Sequence, residues 1–263
     1  MTFVDRYGPW ALVTGASDGI GLAFAHRLAA LGVNLVLVAR RDEVLHRLAA
    51  ELVATQHIHA VVLTADLARP EAADDLIAAT HDLDVGLVVL AAGFGSSGPF
   101  AEAALAGELD MIAVNIGAVT HLTHVFGSRL ITRARGGIVL FGSIVGWQGV
   151  PGQATYAATK AYVQSFAEGI HSEYAAQGVD VLCVAPGPVH SGFGGRAGLS
   201  MDSAADPDVV ARGALRALGR RATVVPGARG KFLTTSLRML PRRMRSRVLG
   251  RVIAGMRTPS PQR

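Results

Sequence analysis

Half of the 263 residues are apolar, enough for a sizeable core; this excludes a wholly disordered chain and suits one large α/β domain or two small ones. No apolar run reaches the roughly 18 residues of a membrane span, the first ten residues lack a secretory apolar stretch, and the single Cys183 can form no internal disulfide, so the cytoplasm is the expected compartment. The net charge of +5 hides an asymmetry: residues 1–208 hold all 20 acids and 11 Lys or Arg, whereas 209–263 hold 14 Lys or Arg and no acid, which argues against nucleic acid as a domain-wide partner and directs any anionic partner to the C-terminal segment.

Short apolar runs alternate with longer helical segments along the chain. "WALVTG" predicts a first strand followed by a helix over 22–31, "VNLVLVAR" a second before a helix over 44–52, and "HAVVLTAD" a third before a helix over 72–79. "VGLVVLAAG" precedes a long helical segment ending near Arg129, "GGIVLFGS" precedes a helix over 154–176, and "VDVLCVAPGPV", which buries Cys183, precedes a helix starting near Asp206. A last short run at 222–225 makes seven strands. Near-continuous apolar strands joined by helices predict a single Rossmann-type α/β domain over residues 1–227, a doubly wound, seven-stranded parallel sheet with helices on both faces, followed by a basic extension over 228–263.

Ligands in such a sheet sit beyond the C-terminal strand ends. "TGASDGIG" lies there, with Gly15, Gly19 and Gly21 opening a helix whose N-terminus can bind a pyrophosphate. The second strand ends in "VARR", without the acid that selects NAD; the guanidinium forks of Arg40 and Arg41 suit a 2′-phosphate, so NADP(H) is favoured. Asp66, ending the third strand, either accepts from an adenine amine or caps the next helix. Tyr156 and Lys160 in "YAATK" are four apart and share one helical face, a spacing that permits a site but by itself belongs far more often to an ordinary surface helix.

Together "TGASDGIG", Asn115 in "MIAVNIGAV", Ser143 in "VLFGS", Tyr156 with Lys160, and "PGPVHS" from Pro186 resemble the classical short-chain dehydrogenase/reductase family over residues 10 to about 225. The resemblance implies a catalytic tetrad of Asn115, Ser143, Tyr156 and Lys160. It also implies cofactor contacts from Gly15, Ser17, Asp18, Gly19, Ile20 and Gly21, from Arg40, Arg41, Asp66, Leu67, Ala92 and Gly93, and from Tyr156, Lys160, Pro186, Gly187, Val189 and Ser191, with no metal. The chemistry agrees. Hydride transfer to a carbonyl needs a proton donor, and a phenol near pKa 10 is too weak a base for the reverse step at neutral pH unless a cation such as Lys160 lowers it. Tyr156 is then the general acid/base and Ser143 steadies the substrate oxygen; the resemblance gives Asn115 a water in a proton relay. One departure stands out: where the family has "NNAG", this chain has "LAAG", with Leu90 and Ala91 in place of the asparagines, so only Ala92 and Gly93 carry over as backbone neighbours of the cofactor.

The loops around the expected site are glycine-rich and mostly apolar. Phe94, Val145, Trp147, Val150 and Phe193, with Ser143, are expected to line a greasy pocket, and the loop after the sixth strand to act as a lid. That points to a lipophilic carbonyl or alcohol and leaves steroid, fatty acyl chain, aldehyde and quinone open. Beyond Val225, Leu240, Met244, Val248, Val252 and Met256 recur every four positions among Arg238, Arg242, Arg243, Arg245, Arg247 and Arg251, which predicts a basic amphipathic helix interrupted by Pro241, Gly250 and Gly255. It could cover the cleft, meet a second subunit in a homodimer or homotetramer, lie on an anionic membrane, or dock on its own domain. The functional reading is an NADP(H)-dependent oxidoreductase; the alternatives are a catalytically silent NADP(H)-binding sensor and an isomerase or dehydratase using the same cofactor.

Overall fold

The computed structural model describes residues 2–200 and 204–257. The apolar runs form seven strands: β1 (Trp10–Thr14), β2 (Asn34–Ala39), β3 (Ala60–Thr64), β4 (Val85–Leu90), β5 (Gly136–Phe141), β6 (Val179–Val184) and β7 (Thr223–Val224). They pair in parallel in the order β3-β2-β1-β4-β5-β6-β7, the doubly wound sheet that the sequence predicts.

Helices cover both faces: α1 (Phe3–Tyr7), α2 (Gly19–Ala30), α3 (Asp42–Gln56), α4 (Ala72–Ala79), α5 (Leu105–Ile112), α6 (Val119–Arg133), α7 (Ala154–Ala175), α8 (Phe193–Ala197) and α9 (Pro207–Ala217). The period-2 alternation of a strand sorts its side chains between two cores. Ala11 and Val13 of β1 pack with Phe24, Leu28, Leu45 and Ala214 on one face, while Leu12 packs with Leu76, Leu122 and Phe126 on the other. α5 and α6 are joined by a π-helical stretch, Ala113–Ala118, into one 29-residue apolar helix that is long enough to cross a membrane. Its apolar side nevertheless serves the core, since Val114, Val119, Leu122, Phe126 and Leu130 are buried against the sheet. The sequence reading has no counterpart for α1, which a Thr2–Asp5 capping box starts and whose Tyr7 hydroxyl donates to Asp180 of β6 at 2.6 Å.

The C-terminal extension is two helices, α10 (Ala228–Arg238) and α11 (Arg242–Met256), parted at Pro241. They dock on the domain: Leu237, Leu249 and Ile253 are buried in a third cluster with Ile144, Val145, Val150, Ala157, Ala197 and Leu199. The buried face is thus centred on Leu249 and Ile253 rather than on the four-residue stripe, of which Met244 and Val252 are exposed. The reason is geometric: a strict four-residue spacing drifts about 40° per step around a helix of 3.6 residues per turn, so its members cannot all face one way. The side chain of Arg238 lies outside the described residues.

Candidate active site

The strand order reverses between β1 and β4, and their C-terminal ends open onto a cavity of about 530 Å³. After β1 the chain turns through Gly15, whose φ of +68° is left-handed and whose Cβ, if present, would lie 2.9 Å from the Ala92 nitrogen. Glycine therefore lets this loop lie against the end of β4. Asp18, at the N-cap of α2, makes no side-chain cap hydrogen bond, so the first-turn N–H groups lack a side-chain acceptor beside the cavity that Ser17, Asp18, Gly19, Ile20 and Gly21 line.

Arg40 and Arg41 reach the same cavity from the end of β2, both more than half exposed at the side chain. Arg41 donates to the Ser17 carbonyl at 2.8 Å and to its hydroxyl at 3.1 Å; Arg40 Nη1 stands 3.9 Å from Asp66 Oδ2. Asp66 Oδ1 accepts from the Ala68 N–H at 3.2 Å, a local turn bond, and Leu67 beside it is buried. An uncapped helix N-terminus with two guanidinium groups across the cleft fits a phosphorylated dinucleotide. Pro186, Gly187, Val189 and Ser191, from the loop after β6, complete this part of the wall.

The four expected catalytic residues converge deeper in. Ser143 follows β5 at the N-cap of the short 3-10 turn Ile144–Trp147, and Tyr156 and Lys160 project from α7. Lys160 is buried, donates from Nζ to the Phe141 carbonyl at 2.9 Å, and lies 5.7 Å from the centroid of the Tyr156 ring. Burial brings its pKa down to about 8. Burial likewise pushes the Tyr156 phenol up to about 12, against a hydrogen bond with Ser143 that pulls it down. The Lys160 ammonium donates to a backbone carbonyl while lying beside the Tyr156 ring, and burial is the first cause of both shifts.

Asn115 sits in the π-helical stretch, fully buried. Its Nδ2 donates to the Phe94 carbonyl at 2.9 Å and to Thr159 Oγ1 at 3.1 Å, and Oδ1 accepts from the Phe94 N–H at 3.2 Å. The amide therefore clamps the loop after β4 onto α7, and both its donors are used there. A Cβ at Gly93 would come 3.0 Å from Asn115 Oδ1 and 3.5 Å from Lys160 Nζ, so glycine keeps these groups adjacent. At the "LAAG" departure Leu90 is buried and Ala91 packs on the core, and the Ala92 N–H donates to Thr14 Oγ1 at 3.0 Å. A threonine of β1 thus ties down the end of β4.

At the other end of the cavity Phe94, Val145 and Phe193 line the wall, with the Phe193 and Tyr156 ring centroids 5.3 Å apart. Trp147 and Val150 do not reach it. Trp147 faces a separate cavity of about 240 Å³ with Gln148, Thr234 and Arg245, and Val150 is buried in the third cluster. Gln153, Arg196 and Leu199 line the main cavity without having been foreseen, and so do Leu249 and Ile253, which roof it from α11 together with Val252 and Met256 of the expected stripe. Their i, i+3, i+4, i+7 spacing was readable in the sequence. The segment carrying α8 is fastened at both ends, by the Gly192 N–H donating to Asp18 Oδ2 at 2.8 Å and by the Ser200 N–H donating to the Met256 carbonyl at 2.7 Å.

The short chain dehydrogenase family model matches residues 9–199. This chain belongs to the short-chain dehydrogenase family. It is 37% identical over 187 residues to a 7beta-hydroxysteroid dehydrogenase of Clostridium sardiniense, covering 71% of this chain and 72% of the relative. A solved 7beta-hydroxysteroid dehydrogenase superposes with a TM-score of 0.89 at 28% identity over 95% of this chain and 100% of that one. A short-chain dehydrogenase from Sphingobium yanoikuyae in complex with NADPH gives 0.78 at 31% identity over 88% and 94%. A Homo sapiens relative named inactive hydroxysteroid dehydrogenase-like protein 1 is 33% identical over 186 residues, 70% of this short-chain dehydrogenase and 56% of that protein.

Proposed function

We propose that this short-chain dehydrogenase interconverts a carbonyl and an alcohol on a bulky lipophilic molecule, with a hydroxysteroid as the leading substrate class and NADP(H) as cofactor. The observation that carries the reading is the roofed cavity: it joins Ser143 and Tyr156 at its floor to an apolar wall from Phe94, Val145, Phe193, Leu249 and Ile253. The C-terminal roof favours the steroid. The superposition on the 7beta-hydroxysteroid dehydrogenase leaves 5% of this chain uncovered, far less than the extension over 228–263. Arg40, Arg41 and the uncapped start of α2 favour the phosphorylated cofactor.

NADP(H), when bound, supplies or accepts the hydride. Tyr156 donates its phenolic proton to the developing alkoxide, while Ser143 hydrogen-bonds the same oxygen. Lys160, a buried ammonium beside the Tyr156 ring, stabilises the negative charge left on the phenol as the proton departs. Asn115 keeps the loop after β4 and the start of α7 in register, so the acid and the wall keep their spacing. The exposed apolar row Leu105, Leu109 and Ile112 on α5, with Tyr162 of α7, supports association of copies of this chain.

The test is consumption of NADPH with a panel of keto-steroids, fatty acyl ketones, aldehydes and quinones. Saturable turnover with keto-steroids above the others is the expected result. Tight NADPH binding with no consumption on any member would overturn the reading in favour of a silent cofactor-binding protein; the human relative is itself named inactive.

A further inference from the structure

The two C-terminal helices turn their buried faces to one cluster, so their other faces point away from the domain. On α11 the outward side carries Arg243, Arg247 and Arg251, four residues apart and all exposed, with Arg242 exposed at the start of the helix. Beside them Met244 is 48% exposed, Phe232 of α10 is 76% exposed, and Met239 at the C-cap of α10 is 85% exposed. Phe232 and Met239 are seven apart, two turns on one helical side. No acid occurs from 209 to 263, and among the described residues none of these four arginines makes an ion pair. A protein surface that neutralises its own charge would not look like this.

We propose that the outward face of α10 and α11 docks on an anionic lipid bilayer, with Arg243, Arg247 and Arg251 at the headgroups and Phe232, Met239 and Met244 entering the acyl boundary. Charge complementarity selects an anionic surface, and the large apolar side chains among the arginines select a lipid one, because they gain burial there. The same helix that would rest on the bilayer roofs the cavity: Val252 lines the cavity and is 46% exposed. A lipophilic molecule dissolved in the membrane would then meet the mouth of the site without crossing bulk water. Docking does not depend on which carbonyl is reduced.

The experiment is co-sedimentation of the full chain with phosphatidylcholine vesicles, with and without phosphatidylglycerol. Retention on the anionic vesicles alone, weakening as salt rises, is expected. The triple variant Arg243→Gln, Arg247→Gln, Arg251→Gln should lose about a hundredfold in vesicle affinity, and Phe232→Ser with Met239→Ser should lessen the retention that survives high salt. Both variants should bind NADPH and turn over a water-soluble carbonyl as the parent does, which separates lost docking from lost folding. Equal retention on neutral vesicles, unchanged affinity in the triple variant, stronger binding to duplex DNA than to vesicles, or a triple variant whose only change is in oligomeric state would each overturn the proposal.

Discussion

Asp18 Oδ2 accepts a hydrogen bond from the Gly192 N–H at 2.8 Å, joining the glycine-rich loop after β1 to the loop after β6 across 174 positions of sequence. The contact is close enough that a Cβ on Gly192 would come 2.6 Å from that oxygen, and one on Gly19 would come 2.7 Å from Ser191 Cβ. The loop that opens α2 and the segment that carries Phe193 over Tyr156 are therefore one mechanical unit.

Asp18→Ala and Asp18→Asn separate the bond from the charge. The asparagine can still accept from Gly192 and the alanine cannot, so hydrogen exchange over 190–197 should speed up in Asp18→Ala only, and the KM for the carbonyl should rise several-fold in that variant alone. Removing a carboxylate from the cleft should leave NADPH affinity equal or higher in both. Identical exchange and KM in the two variants would mean that the bond closes nothing.

Tyr156→Phe deletes one hydroxyl and preserves the ring that packs on Phe193. Folding and NADPH affinity should be retained while turnover falls 10²–10⁴-fold, the usual contribution of a general acid. Turnover within a few-fold of the parent would remove Tyr156 from the proton-donor role.

Lys160 ties stability to pH. Its folded-state pKa of about 8 lies below the ordinary 10.5, so between those values the unfolded chain binds more protons. Stability therefore rises with pH across that window as the cost of the buried ammonium disappears. Lys160→Met should raise the melting temperature of the cofactor-free protein more at pH 7 than at pH 10, and should abolish turnover. In the parent, kcat for carbonyl reduction should decline above about pH 8 as the ammonium discharges. A variant less stable at neutral pH than the parent would contradict this assignment.

Arg40 and Arg41 should make NADPH bind at least tenfold more tightly than NADH, a difference of about 1.4 kcal/mol. Titrating both cofactors into Arg40→Ala and Arg41→Ala measures each share. Arg41 is already held by Ser17, whereas Arg40 has only a long contact to Asp66, so Arg40 is the freer of the two to move onto a phosphate. A ratio unchanged in both variants would show that neither reads the 2′-phosphate.

The sheet was legible because each strand is an uninterrupted apolar run and each crossover a longer amphipathic one. Ala72–Ala79 is placed to the residue, and the sequence boundaries of α7 differ from Ala154–Ala175 by one position. The convergence of Ser143, Tyr156 and Lys160 was legible for the same reason, since strand ends and a four-residue helical spacing fix position. What the sequence could not convey is which side of a helix or turn finds a partner. Trp147 lies two residues from Val145 but behind the wall, and the roof is Leu249, Val252, Ile253 and Met256, a spacing of 3.6 residues per turn to which the four-residue stripe contributes only Val252 and Met256. For Tyr156 the sequence points to the neighbouring Lys160, whereas burial, a tertiary quantity, is the first cause of its raised pKa, against a hydrogen bond with Ser143.

The π-helical stretch Ala113–Ala118 makes the chain count its residues at Asn115. A π turn accommodates one residue more than an α turn, so deleting any single residue of this stretch would let the helix relax to the α form, its two flanks keeping their facing while the wide turn that presents Asn115 closes. Asn115 would then swing off Phe94 and Thr159, although no side chain in the cavity had been altered. Between Leu105 and Arg133 this protein should therefore accept many exchanges of one residue for another on the exposed side, yet almost no change in the number of residues.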